Sequence, residues 1–481
     1  MMRSLFSGVS GLKVHQAKMD VIGNNIANVN TIGFKASTVS FSDVFYQTTQ
    51  SATGPNAATG AAGRNAMQIG LGAGVAAVTS SITTTGAAQR TDNPFDLMID
   101  GNNFFIVNSG GTNYFTKAGS FTVDSAGKLC TPSGASVMGW KVDPNDATKT
   151  VADKVAPLVI MSNENRYASP QASTAITISG NIDSKDTQLT SETGKVVNIA
   201  FYDKMGHSYT ADMKITQSPD ATNNYKVALT DIKDEDGQSI FVNKITDPTT
   251  GEVTYAASGI TTFGIGNYTY SVSNVDPTDG KVTIDSTDSP MITFNGATGE
   301  FVGIGDGTEA NDSIMLNITA DPNPFSEIKM DFSSLTMFSS SGSSSIKATR
   351  GDLDGNGTGK KVGNMTGVTI DTSGKIYGKY DNGDSKLLGQ IAVTSFANPA
   401  GLEAVGNSMY TTTQNSGDFD GIGIDPSQGG GGITTGILEM SNVDLSQQFT
   451  DMITTQRGFQ ANSRIITTSD SLLEELINLK R

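Results

Sequence analysis

The chain has 481 residues, of which 36% are hydrophobic and 17% charged, and its formal net charge is −16. Because no cluster of Lys or Arg offsets this charge, the composition excludes a protein that binds nucleic-acid phosphates and disfavours one that lies on an anionic membrane. A single cysteine excludes an internal disulfide, and two histidines far apart in sequence exclude a Cys/His zinc site.

The first predicted element is an amphipathic N-terminal helix. Its apolar residues fall on a seven-residue line and on a second line beside it: Leu5, Leu12, Met19 and Ile26, then Val9, Ile22 and Val29. This spacing predicts one apolar seam on a helix that Ser4 caps, that Asn28 to Thr31 weaken and that Gly33 stops. The segment lacks the continuous apolar core of a secretory signal, so if the chain leaves the cell, we expect it to do so without a cleaved signal peptide. No run approaches the roughly 18 apolar residues of a membrane span.

Residues 36–90 are rich in Gly, Ala, Ser and Thr, as in SATGPNAATGAAGRNAMQIGLGAGVAAV. We interpret them as an extended connector with short strands, because they carry too few large side chains for a core of their own. The weak alternation in MQIGLGAGVAAVTSSI favours strands. A disordered linker is the alternative interpretation.

Hairpin signals begin at Asn93. The run TVDSAGKL at 122–129 is echoed by TIDTSGKI at 369–376, and KYDNGDSK at 379–386 indicates a further hairpin. Each places Gly where a positive φ is needed between two runs in which apolar and polar residues alternate. The echo predicts one β-domain interrupted by an inserted domain, so that both chain ends return to the same place.

A second seven-residue repeat runs from Ser441 and Asp444, which resemble a capping box, nearly to Arg481. Its seam residues are Leu445, Met452, Phe459, Ile466 and Leu473, with Phe449 and Ile477 beside them. Gly458 is the one weak point of this predicted helix. Because one apolar stripe on each helix makes a marginal pair in isolation, we expect both helices to need other subunits. The alternative is a two-helix hairpin packed on a globular core.

No motif in the sequence supports a catalytic, cofactor or metal site. Asp352, Asp354 and Asn356 have the spacing of a calcium-binding loop. Gly363, however, occupies the twelfth position, where a bidentate Glu would complete the calcium coordination, so we interpret the segment as a flexible acidic turn. His207 lies in a predicted exposed turn without a second His to assist it.

No Ser lies in a nucleophile elbow. Cys130 is predicted to pack in a strand, and Trp140 to anchor a core or an edge. We therefore expect no enzyme and no cofactor.

Several long motifs resemble the bacterial flagellar rod and hook family: SLFSGVSGL, DVIGNNIANVNTIGFK, DLMIDGNNFFIV, LGQIAVTSFANPAGLEAVGNSMY and SNVDLSQQFTDMITTQRGFQANSRIITTSDSLLEELINL. The resemblance covers residues 1 to about 140 and about 330 to 481. Rod proteins of the family lack a large central insertion, whereas ISGNIDS and FYDKMGHS resemble the start of the insertion in its hook branch. Residues between about 210 and 325 resemble no known segment.

The resemblance implies a fold class of mainly β outer domains, nested and built of hairpins, with N- and C-terminal α-helices that form a coiled-coil-like core domain. The predicted segments are a core helix at 1–35, a connector at 36–90, an inner β-domain at 91–145 and 329–436, an inserted outer β-domain at 146–328, and a core helix at 437–481.

The resemblance also implies a structural subunit of the flagellar hook, a curved tubular homopolymer that acts as a universal joint for motility. It implies an extracellular polymer whose subunits pass through the type III export apparatus. The implied partners are the flagellar rod, the hook cap and the hook-filament junction proteins. The alternatives are a flagellar distal rod protein, which the insertion disfavours, and a secreted β-rich adhesin.

Subunit contacts are expected on the two terminal helices. The residues predicted to form them are Leu5, Val9, Leu12, Met19, Ile22, Asn24, Asn25, Ile26, Asn28, Leu445, Phe449, Met452, Phe459, Ile466 and Leu473. Asparagine is a mediocre helix former, so propensity does not explain the cluster at 24–30. Our hypothesis is that these amides pair with adjacent subunits and with the chain as it leaves the helix, in contacts of on the order of 1 kcal/mol that can exchange partners. The alternative is that they only cap and fray the helix.

Overall fold

The computed structural model describes residues 2–55, 60, 62–219, 221–246, 252–286, 288–305, 311–320, 322–428 and 431–479. The chain folds into two compact units. The first unit takes the chain up to Arg166, Thr366–Lys379 and the chain from Ser385 onward, and the second takes Tyr167–Met365 and Tyr380–Asp384. The chain path is therefore nested, because the chain leaves the first unit, builds the second and returns.

Helix α1, Met2–Ala27, begins the first unit. Because it starts before Ser4, the prediction that Ser4 is its N-cap is wrong. It ends at Ala27, and the asparagine-rich residues that follow form turns. Gly33 then adopts a φ of +67°, and a Cβ at Gly33 would lie 2.7 Å from the backbone nitrogen of Ala118, so only glycine fits there.

The predicted connector contains a long β-hairpin, which we call the hairpin arm and define as the described residues of 37–80. Strand β1, Ser37–Asp43, and strand β2, Tyr46–Gln50, lead out, and β3, Met67–Gly70, and β4, Ala73–Ser80, lead back. Strand β1 pairs antiparallel with β4, and β2 pairs antiparallel with β3. The arm has no core of its own, because most of its side chains are exposed.

Short strands of the first unit follow the arm: β5 Ala88–Arg90, β6 Leu97–Ile99, β7 Phe104–Ser109, β8 Thr112–Thr116, β9 Thr122–Val123, β10 Leu129–Cys130, β11 Ser136–Trp140 and β12 Ala156–Pro157.

The second unit contains these strands: β13 Tyr167–Ala168, β14 Ala175–Asn181, β15 Lys195–Tyr202, β16 Ser208–Gln217, β17 Asn224–Lys233, β18 Val242–Thr246, β19 Val253–Ala257, β20 Thr262–Ile265, β21 Tyr268–Val275, β22 Val282–Ser286, β23 Met291–Phe294, β24 Phe301–Gly305, β25 Ser313–Thr319, β26 Ile328–Thr336 and β27 Ser345–Arg350. One sheet has the order β22, β21, β20, β25, β26, β14, β27, and another has the order β15, β16, β17, β23, β24. Side chains from both sheets share one hydrophobic core, including Ile178, Phe201, Met213, Phe263 and Phe332. The unit therefore has a core of its own.

The chain returns through β28 Gly363–Ile370, β29 Lys375–Tyr380, β30 Ser385–Ile391, β31 Val393–Thr394, the short 3-10 helix Pro399–Gly401, β32 Glu403–Gly406, β33 Met409–Thr411, β34 Ile433–Thr435, β35 Ile437–Glu439 and helix α2, Leu445–Asn478. In the main sheet of the first unit, β29, β30, β11, β7, β8, β33 and β32 lie side by side. Strands from before and after the insertion therefore build one sheet. The fold is β-rich with a helix at each end, as predicted.

The echoed motifs form the same turn twice. Asp124 Oδ1 accepts the N–H groups of Ala126 and Lys128, and Asp371 Oδ1 accepts those of Ser373 and Lys375. The glycines of the two turns, Gly127 and Gly374, share a φ of +78°. Trp140 lies in the core beside Phe104 and Phe115, and its Nε1 donates to the carbonyl of Ile422 at 2.9 Å.

The bounds of the units differ from the predicted inserted domain at 146–328. The residues up to Arg166 lie in the first unit, and those up to Met365 lie in the second. Strands β26 and β27 extend the second unit past residue 328, because β26 pairs in parallel and β27 antiparallel with β14. Pairing between strands so far apart in sequence leaves no local signal. The finer division of the chain into six segments stays a prediction.

Candidate assembly surface

Helices α1 and α2 pack antiparallel, and glycines line their contact. Gly8 lies against Ile466, Gly11 against Asn462, and Gly458 against the ring of His15. A Cβ on Gly11 would lie 2.6 Å from the Asn462 amide, and a Cβ on Gly458 would lie 2.6 Å from the His15 ring. Gly458, predicted to be a weak point of α2, is therefore a point of close approach between the helices.

Few polar contacts connect the two helices. Lys18 Nζ lies 3.3 Å from Asp451 Oδ1, and Asn25 Nδ2 donates to Gln448 Oε1 at 3.1 Å. The first pair is partly exposed, so it contributes roughly 0–1 kcal/mol. Asp444 caps α2, because its carboxylate accepts the N–H groups of Ser446 and Gln447. The predicted opening of this helix is confirmed for Asp444.

The asparagine cluster is hydrogen-bonded within the chain. Asn25 is buried, and its amide both donates to Ser37 O at 2.8 Å and accepts from Ser37 N at 3.0 Å. Asn28 Nδ2 donates to Asn24 O and Oδ1 at 2.9 Å, and Thr31 Oγ1 donates to Asn28 Oδ1. Asn25 therefore holds the start of the hairpin arm, while pairing with adjacent subunits stays a prediction.

The apolar residues predicted for the subunit contact differ in exposure. Ile22 is buried, and the half-buried ones are Leu5, Leu12, Met19, Ile26, Met452, Ile466 and Leu473. Four are exposed: Val9, Leu445, Phe449 and Phe459. Of the half-buried set, Ile466 lies against Gly8 of α1, whereas the exposed set is open to solvent in the single chain. Burial of these residues against other subunits stays a prediction.

Sequence reasoning missed further exposed apolar residues on both helices. They are Phe6, Ile453, Ile465, Leu472, Leu476 and Leu479. Leu479 is 84% exposed and Phe6 64% exposed. Because α2 continues past the residues that contact α1, its last turns have no cover from α1. Exposed large apolar side chains that recur along a helix make it a candidate protein interaction surface.

The hairpin arm carries a second exposed apolar surface that sequence reasoning missed. It comprises Phe41, Val44, Phe45, Tyr46, Met67, Ile69, Val75 and Val78. Phe45 is 73% exposed. The run DVFYQ, three large side chains inside a segment of small ones, is the signal that could have found it. The arm lies against α1, where His15 and Phe41 meet edge to face at 5.9 Å, so the two surfaces adjoin.

The residues considered for chemistry have local structural roles. His207 Nδ1 lies 3.1 Å from Asp203 Oδ2 in a turn, and Cys130 is half-buried with Sγ 3.4 Å from Thr122 O. The Asp352 carboxylate accepts the N–H groups of Asp354 and Asn356, and these bonds hold the pKa of Asp352 below its usual value.

Within the described ranges, no three His, Cys, Asp or Glu side chains gather to hold a metal. No helix there is long and apolar enough to cross a membrane.

Known families and relatives match the same parts of the chain. The family described as "Flagella basal body rod protein" matches residues 5–35, "Flagellar hook protein FlgE/F/G D1 domain" matches 98–197, and "Flagellar basal body rod FlgEFG protein C-terminal" matches 434–479. The flagellar hook protein FlgE of Borreliella burgdorferi is 36% identical over all of both chains. This chain belongs to the flagellar hook protein family.

The flagellar hook protein FlgE of Treponema pallidum is 33% identical over all of both chains. That of Salmonella typhimurium is 28% identical over 99% of this chain and all of that one. The resemblance of the sequence to the rod and hook family is thereby confirmed. The matched ranges contain α2, all of α1 from Leu5 onward and strands β7 to β12 of the first unit, so the family segments cover most of both helices of the candidate assembly surface.

Proposed function

We propose that this chain is a structural subunit of the flagellar hook, which assembles with many copies of itself into a curved tube and transmits torque between rod and filament. The main support for this proposal is the exposed apolar surface of the terminal helices. Phe449 is 51% exposed and Ile453 59% exposed on a helix whose other face packs on α1. Membership in the hook protein family supports the same function.

Burial of this surface supplies the driving force for assembly. Removing apolar surface from water stabilises by about 25 cal/mol per Å², from which the costs of association and of side-chain ordering must be subtracted. Each subunit in a tube contacts several copies, so these contributions sum over many contacts. The exposed apolar residues belong to three unlike elements, α1, α2 and the hairpin arm. Contacts between unlike faces are heterologous, and such contacts produce open filaments rather than closed rings.

Bending requires that subunits slide past each other outside the packed helices. The chain has a net charge of −16, whereas its first 35 residues carry a positive balance from Arg3, Lys13, Lys18 and Lys35 against Asp20. Near-neutral terminal helices can crowd together, while acidic β-units repel their copies and prefer solvent. Polar outer surfaces then form weak, wet contacts that can exchange during rotation.

The finer parts of the proposal concern partners and location. The rod, the hook cap and the hook-filament junction proteins are proposed partners, and the type III export apparatus is the proposed export route to the outside of the cell. The six predicted segments, with core helices at 1–35 and 437–481, are proposed as layers from the inside of the tube outward. The distal rod protein is the nearest alternative and the adhesin the more distant one.

Electron microscopy of purified chain after salt-induced assembly tests the function. We expect curved tubes of uniform width. Straight tubes would favour the distal rod protein, and dispersed monomers under every condition would favour the adhesin. A chain with Phe449→Ser and Ile453→Ser is expected to give no tubes, and the exposed change Thr450→Ala on the same helix serves as the matched control.

A further inference from the structure

A buried ion pair joins three distant segments of the first unit. Lys35 Nζ lies 2.6 Å from Glu439 Oε1, and the two side chains are 1% and 0% exposed. Lys35 Nζ also donates to Thr84 O at 2.7 Å, and Glu439 Oε1 accepts from Gly86 N at 2.9 Å. The pair therefore connects the segment after α1, the segment after the hairpin arm and the segment before α2. We call this meeting point the junction.

Bonds that do not involve the two charges connect the same three segments. They run from Gly33 N to Glu439 O, from Ala36 N to Asn442 Oδ1, from Asn442 Nδ2 to Ser81 O, from Ser81 N to Ala36 O, and from Met440 N to Ala87 O. Gly86 packs so closely that a Cβ there would collide with the carbonyl of Met440. Each segment is thus bonded to both of the others.

The buried charges make partly closed states of the junction unfavourable. An ion taken out of water without its partner costs several kcal/mol, and breaking a buried pair by removing one side is strongly destabilising. If the segment before α2 is not in place, docking of the other two segments buries the Lys35 charge without its Glu439 partner. If the segment after α1 is not in place, closure buries the Glu439 carboxylate, whose Oε2 has no bonded partner among the residues that the structure describes.

We propose that Lys35 and Glu439 form a latch that makes the docking of α1, the hairpin arm and α2 on the β-strands of the first unit one all-or-none event. The three elements that carry exposed apolar surface then become ordered together or not at all. States in which only one of the three elements is undocked are then not populated, so other copies never meet a partly formed surface. The inference concerns the single chain, so it stands or fails independently of the proposed hook function.

Hydrogen exchange of the full chain, measured on Lys35→Met, Glu439→Gln and the double variant, tests the latch. In Glu439→Gln, we expect exchange at Ala36, Ser81 and Met440 to rise together by at least about tenfold, because the unpaired Lys35 charge opens all three segments. The double variant is expected to recover most of that protection, since it removes both charges of the Lys35–Glu439 pair together. The partly exposed pair gives the control, and Lys18→Met is expected to change exchange at these sites by less than about threefold.

Two results would overturn the latch. One is a rise in exchange confined to the residues next to 439, and the other is a double variant that exchanges as fast as Glu439→Gln. Amides of β7 report on the sheet itself and are expected to stay protected. If Glu439→Gln unfolds the whole unit, Glu439→Asp is the gentler variant, because it keeps the charge and only lengthens the contact. Joint loosening of the three segments in Glu439→Asp supports the latch, and loosening at one segment overturns it.

Discussion

The side-chain amide of Asn25 makes both a donor and an acceptor bond with the backbone of Ser37, at 2.8 and 3.0 Å. A buried side chain of α1 thus hydrogen-bonds the Ser37 backbone in the way a neighbouring strand would. These bonds fix the position of the start of the hairpin arm relative to the helix. This relationship answers why an asparagine stands at a helical position for which it has poor propensity.

Asn25→Ala should loosen the hairpin arm. It removes both bonds to Ser37 and the bond to Gln448, and it leaves the backbone N–H and C=O of Ser37 without a side-chain partner, at a cost of about 2 kcal/mol. Denaturant unfolding and hydrogen exchange of β1 measure the change. Asn24→Ala, at an exposed position one residue earlier, should cost no more than about 0.5 kcal/mol. Equal losses in the two variants would show that the bonds to Ser37 contribute nothing.

The asparagine hypothesis for assembly has its own test. A chain with Asn25→Ala and Asn28→Ala should keep the second unit folded and assemble poorly, because the amides that hold the helix exit are gone. Circular dichroism of the monomer measures whether the second unit stays folded, and electron microscopy measures whether tubes form. Normal tubes from the double variant would discard the hypothesis.

Phe449→Ala should separate assembly from stability. The ring is half exposed in the single chain, so its truncation should leave the free energy of unfolding unchanged to within about 0.5 kcal/mol. In a polymer that buries the ring, the critical concentration should rise on the order of tenfold, which corresponds to about 1.4 kcal/mol. Sedimentation across a concentration series measures it. An unchanged critical concentration would remove Phe449 from the contact.

Lys117 should make the stability of the first unit rise at alkaline pH. Burial lowers the pKa of Lys117 from 10.5 to about 8 in the folded chain, where Nζ donates to Gly101 O at 2.6 Å. Between these two values the unfolded chain binds more protons than the folded chain, so the free energy of unfolding increases with pH, by roughly 3 kcal/mol over the window.

Urea unfolding at pH 8 and near pH 10 measures this rise. Lys117→Met should lose it and should be more stable than the parent at pH 7. A parent chain whose stability falls across the window, to the same extent as the variant, would refute the role of Lys117.

Two glycines with positive φ should respond differently to alanine. Gly134 has a φ of +86° and open space around it, so Gly134→Ala should cost only the conformational strain of about 1–2 kcal/mol. At Gly127, with a φ of +78°, a Cβ would also collide with the carbonyl of Met161. Gly127→Ala should therefore cost about 2 kcal/mol more, because backbone must move. Denaturant midpoints compare them, and equal losses would mean that the turn relaxes freely.

Local chemistry was readable from the sequence, and long-range pairing was not. The turns at Asp124 and Asp371 can be predicted from the sequence, because each carboxylate accepts hydrogen bonds from amides only two and four residues away. The heptad lines likewise predict α1 and α2, since a helix repeats along one stretch of chain. Both signals lie inside a short window of residues.

The hairpin arm and the junction depend on residues that no local pattern connects. Phe41 pairs with Val75 across a bulge, in a segment whose small side chains hide the alternation. Lys35 and Glu439 are separated by 404 positions, and neither is marked as buried by its neighbours in sequence. The surface of the arm was missed for the same reason, because its apolar residues come from strands whose pairing the sequence does not display.

We propose above all that the terminal helices bury their exposed apolar faces against other copies of the chain. Cryo-electron microscopy of tubes grown from the purified full chain tests it most directly. We expect Phe449 and Ile453 to lie buried against helices of neighbouring copies. Tubes in which these side chains face solvent, with the second unit alone making the subunit contacts, would contradict it.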